Sequence, residues 1–119
     1  MDVINIANAI EKKITDLEVG RQELNKRAKA WANALAEYRH IIATTVIKLK
    51  NGVAFNLDGE IIQNPVNTII ESIARGICWK EKLAETEAEA LYRVALKGMD
   101  ALMAELNGLQ SIYRHLSEK

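Results

Sequence analysis

Residues 3–52 read VINIANAIEKKITDLEVGRQELNKRAKAWANALAEYRHIIATTVIKLKNG, and the spacing of the apolar side chains in this stretch decides the fold. Stepping from Val3 by alternating fours and threes meets Ala7, Ile10, Ile14, Leu17, Arg21, Leu24, Ala28, Trp31, Leu35, Tyr38, Ile42, Thr45 and Leu49. Only Arg21 and Thr45 interrupt the stripe. Such spacing lines one side of an α-helix, and a stripe kept in register over several heptads belongs to a helix supercoiled with another. No proline breaks residues 1–50, so one helix of roughly 70 Å is expected there, at 1.5 Å per residue. Gly20 is its single glycine, a local weakness worth about 1 kcal/mol against alanine.

The pattern then changes. Lys50-Asn51-Gly52 reads as a helix stop, because Asn or Gly usually stands just past a helix end. Two short apolar-rich runs follow, Val53-Ala54-Phe55-Asn56-Leu57 and Glu60-Ile61-Ile62-Gln63, with Asp58-Gly59 between them. Asp-Gly suits a two-residue hairpin turn in which both residues take positive φ. Two strands alone are marginal in water, so they must lean on the helices. Asn64-Pro65 reads as a helix N-cap followed by its first residue. Val66, Ile69, Ile70 and Ile73 give that short helix an apolar face, and Gly76 ends or bends it. From Trp79 the three-four alternation returns through Ala88, Tyr92, Ala95, Met99, Leu102, Leu106, Leu109, Tyr113 and Leu116.

The expected fold is mainly α and a single domain: a long helix over 1–50, a small β-hairpin over 53–63, a short helix over 65–76 and a long helix over 79–117. The two long helices bury their stripes against each other as a long antiparallel helical hairpin, coiled-coil-like, with the β-hairpin and short helix at the connecting end. The first stripe is longer than the last. The excess predicts a homo-oligomer in which another chain covers it.

Composition excludes several functions. Of 119 residues, 49% are hydrophobic but only 5% aromatic, which suits one domain of helices packed on helices. Sixteen basic residues balance sixteen acidic ones, so neither a strongly basic nucleic-acid binder nor an acidic DNA mimic is expected. The lone Cys78 cannot staple its own chain, which fits a reducing cytosol. No apolar run reaches the length of a signal-peptide core or a membrane span, so a cytoplasmic protein without membrane contact is expected.

The residues that carry chemistry are sparse, and no enzyme, cofactor or metal is expected. His40 and His115 lie on different helices, without a Cys, Asp or Glu cluster at zinc spacing. Cys78 has no partner histidine and reads as a buried structural thiol. Glu85, Glu87 and Glu89 read as a solvated face, and Trp31 and Trp79 as core. Arg75 precedes a helix boundary, Arg93 follows Tyr92 and Arg114 follows Tyr113. An arginine beside an aromatic can grip a phosphate or stack on a base, so these five residues are the candidates for an anionic ligand. Against this, the tyrosines lie on the stripe and their neighbours merely reach solvent. The hairpin tip, Asn56, Asp58, Gly59 and Glu60, is the candidate partner contact.

Ile73-Ala74-Arg75-Gly76, Leu91-Tyr92-Arg93 and above all Asn107-Gly108-Leu109-Gln110-Ser111-Ile112-Tyr113-Arg114-His115-Leu116 carry a resemblance. Over residues 38–116 the chain resembles a family of small helical proteins of phages and prophages of Gram-positive bacteria. That family has no assigned activity, and its members have a shorter link where this chain has the Asp58-Gly59 hairpin. The resemblance implies the host bacterial cytosol and a protein that acts by binding. Three readings follow: an accessory protein binding a host protein or defence factor, an oligomeric sponge for a small nucleotide signal, or a scaffold in phage DNA replication or recombination.

Overall fold

A computed structural model describes residues 2–118. The chain runs through α1 (Val3–Lys50), β1 (Phe55–Leu57), β2 (Glu60–Ile62), a 3-10 turn (Asn67–Ile69), α2 (Ile70–Ile77) and α3 (Trp79–Ser117). This is the expected helical hairpin with a small antiparallel two-stranded sheet between its long arms.

Both ends of α1 are capped. The Asp2 carboxylate accepts the Asn5 N–H at 2.9 Å, satisfying one of the donors a helix start leaves open. At the far end, Val53 N–H donates to Lys48 O at 3.0 Å and Gly52 N–H to Leu49 O at 3.2 Å. Gly52 has φ 81°. A left-handed residue with these two bonds is the Schellman stop that Asn51-Gly52 predicts. The Gln63 side-chain amide donates to Gly52 O at 3.0 Å and ties the stop to the hairpin's return strand.

The contacts divide the chain into two compact units. One holds the chain up to Ala28 together with the chain from Ala90 onward; the other is Lys29–Glu89.

In the first unit α1 and α3 are antiparallel. Lys13 pairs with Glu105, whereas Gly20, further along α1, faces Met99 and Leu102, earlier on α3. Ile6, Leu17 and Leu106 are buried here. The α3 stripe faces inward largely as its spacing predicts, with only Tyr113 reaching the exposed class, at 38%. The α1 stripe is corrected. Ile10, Leu17 and Leu24 face inward and Ala7 and Ala28 are half-buried, but Lys13 and Gly20 are covered in place of the neighbouring Ile14 and Arg21. Ile14 is 49% exposed, and Arg21 points outward to pair with Glu18 at 3.1 Å. The reason is steric. A Cβ on residue 20 would lie 2.6 Å from the Met99 sulfur, so Gly20 admits a side chain there that Arg21 would exclude. The glycine is a seat for Met99.

The second unit holds the rest of both arms and the connecting end. Trp31 bonds Glu85, and Thr45 faces Cys78, so the arms are antiparallel here too. Leu49, Ile70 and Ala74 form the core, with Val46, Phe55, Ile62, Ile73 and Ile77 packed on it. Thr45, an interruption by composition, is 4% exposed, and its hydroxyl lies 3.4 Å from the Cys78 sulfur. The hairpin leans on the helices as expected: Phe55 and Ile62 reach the core, and Leu57 lies against Gly76.

The start of the short helix differs from its sequence reading. Asn64 has φ 49°, not the extended conformation of an N-cap. A residue before proline is disfavoured in the right-handed helical region, and asparagine tolerates the left-handed one. Asn64 therefore reverses the chain after β2, and helix begins later, at Asn67 in 3-10 form and at Ile70 as α2. Nor does Gly76 end it: α2 runs to Ile77, and Cys78 (φ −91°, ψ 27°) is the junction with α3.

Candidate functional site

The hairpin tip is built by its turn. Asp58 and Gly59 have φ 51° and 89°, the pair of left-handed residues a type I′ turn needs. The Asn56 side-chain oxygen accepts the Gly59 N–H at 2.9 Å and braces the turn. Asn56, Asp58, Gly59 and Glu60 are all exposed. In the strand register Phe55 pairs with Ile62, Asn56 with Ile61 and Leu57 with Glu60. Alternation turns Phe55, Leu57 and Ile62 inward and leaves Asn56 and Ile61 on the outer face. Ile61 is 76% exposed, the most exposed large apolar side chain among the described residues. The sequence reading passed over it, although period-two alternation about Ile62 already points it outward.

A polar node sits between the arms of the second unit, and it corrects another expectation. Glu85 is 4% exposed rather than solvated. Its carboxylate accepts from the Trp31 indole N–H and from the Lys82 ammonium, each at 3.0 Å. These bonds, the Trp31 bond foremost, hold the Glu85 carboxyl below the usual carboxylate range. The Lys82 ammonium is raised in turn, chiefly by its hydrogen bond to Glu85, and it also lies 5.2 Å from the centre of the Tyr38 ring. Trp31 is thus a half-buried donor. The other tryptophan, Trp79, expected in the core, is 51% exposed, with Lys80 over its ring. A signal for Glu85 was present: the α3 stripe, continued backward from Ala88 by three-four steps, lands on Glu85, Glu81, Cys78 and Ala74.

A groove of about 470 Å³ lies beside this core, floored by Ile42, Ala43, Val46 and Ile47 of α1 and rimmed by Arg39, Glu71 and Arg75. Arg93 and Arg114 do not come together. Arg75 is on this rim, in the second unit, whereas Arg93 and Arg114 belong to the first. Those two lie on one helix about 30 Å apart along its axis, at 1.5 Å per residue. Tyr92 is half-buried and Tyr113 exposed on the same helix. No single ligand of nucleotide size spans the Arg93–Arg114 interval within one chain.

Cys78 is 1% exposed and walled in. His40 and His115 are exposed and belong to different units. Among the described residues no three His, Cys, Asp or Glu side chains gather to hold a metal ion, and no helix is long and apolar enough to cross a membrane. Comparison with protein-family models, with curated proteins and with solved structures finds no match.

Proposed function

We propose that this chain is a non-catalytic phage accessory protein that binds a host protein or defence factor through its hairpin tip, in the cytosol of a Gram-positive bacterium. The observation that carries the reading is Ile61: a large aliphatic side chain held 76% exposed on the outer face of a ribbon whose inner face is anchored in the core. Covering such a side chain releases about 1.5–3 kcal/mol. A braced turn loses little conformational freedom on docking, so more of that free energy appears as affinity. Asn56, paired with Ile61 on the outer face, and Asp58 at the turn give the aliphatic contact a polar margin that selects a partner. The biological setting rests on the resemblance of residues 107–116 to the phage family.

The test is capture from lysate of infected Gram-positive cells on immobilised wild-type chain and on Ile61→Glu. A partner held by the wild type and lost with Ile61→Glu supports the reading. An identical set of proteins on both beads refutes it.

A further inference from the structure

We propose that the groove between α1 and α2 is the docking site for a second copy of this chain, related by a two-fold axis. The groove has an apolar floor, Ile42, Ala43, Val46 and Ile47, and Ile47 is 60% exposed. Its rim carries charges of both signs, Arg39, Glu71 and Arg75. None of the three takes part in an ion pair or a side-chain hydrogen bond among the described residues, although Glu71 and Arg75 stand four residues apart on one helix.

Charge selects the occupant. A partner of one sign would be attracted by part of the rim and repelled by the rest. A second copy satisfies its Glu71 and Arg75. When two α2 helices face each other antiparallel about an axis near Ile73, Glu71 of each stands opposite Arg75 of the other. Both pairs form at once, as an isologous interface requires. The same approach lays the exposed Ile47 of each copy toward the other's apolar floor. Neither Ile61 nor the rest of the tip lines the groove.

Sedimentation velocity across a concentration series tests this. Wild type is expected to sediment with the mass of two chains at high concentration. Ile47→Glu is expected to sediment as one chain, with helical circular dichroism unchanged. Glu71→Arg alone puts like charges opposite each other and raises the dissociation midpoint by about tenfold or more. Glu71→Arg with Arg75→Glu re-creates the complementary set and restores dimerisation. Ile61→Glu leaves the dimer intact, which separates this inference from the tip reading. A wild type that stays monomeric at every concentration overturns the proposal, as does a dimer indifferent to Ile47→Glu and to both charge variants.

Discussion

Gly20→Ala tests the corrected packing of the first unit most directly. In a helix interior alanine is better than glycine by about 1 kcal/mol. At residue 20, however, the new methyl would stand 2.6 Å from the Met99 sulfur and 3.5 Å from a Leu102 methyl. Met99 must swing aside by about 1 Å to reach ordinary contact distance. Overpacking of this kind costs about 1–3 kcal/mol. The expected net effect is neutral to about 2 kcal/mol destabilising. In a Met99→Ala background the obstruction is gone, and the full gain of about 1 kcal/mol should reappear. The two backgrounds therefore differ by a coupling of about 1–3 kcal/mol. Gly98→Ala is the internal control: nothing lies within 4 Å of its added methyl, so it should stabilise in both backgrounds. Urea unfolding followed by helical circular dichroism at fixed protein concentration measures all of these. If Gly20→Ala stabilises the wild type as much as Gly98→Ala does, α1 does not turn Gly20 toward Met99, and the steric account of the shifted stripe is wrong.

Gly52→Ala places a side chain at φ 81° and should cost about 1–2 kcal/mol, seen as a lower urea midpoint. An unchanged midpoint would show that the Schellman stop does not hold the end of α1. Glu85 makes stability depend on acid. Its folded pKa is lowered, so its contribution is complete above the unfolded carboxylate range, about pH 4.3, and fades as pH falls through the folded value. Glu85→Gln should flatten that acid limb of the urea midpoint against pH, and an unaltered limb would exclude Glu85 as its source. Cys78, buried against Thr45, should react with a thiol reagent only as fast as the second unit opens. Immediate labelling in native buffer would contradict its burial.

The stripes, the glycine stop and the Asp-Gly turn were legible because each is local. A helical face, a Schellman stop and a type I′ turn are set by residues a few positions apart. The α3 stripe was read nearly residue by residue, although Leu91, Val94, Leu96, Met103 and Ile112 stand beside it and are left exposed. The α1 face was misread by one residue at Ile14 and Arg21. Ile14 is apolar enough to look inward, and local pattern cannot say which of two adjacent stripes a partner helix will take. Among the candidate binding residues, the exposed tip was legible from Asp58-Gly59. The Arg39–Glu71–Arg75 rim was not, because it joins residues more than thirty positions apart in the chain.

By itself, then, the sequence determined that two long helices would form, where the first would stop, and how the chain would turn at residues 58–59, because backbone preferences and spacing act over one or two turns. Only the tertiary structure decided which edge of α1 meets α3, which donors Glu85 finds, and that Ile47 is left out. Those outcomes depend on which side chains share the space between elements. Met99 needs a gap, Glu85 needs donors from Trp31 and Lys82, and both requirements are met by residues distant in sequence.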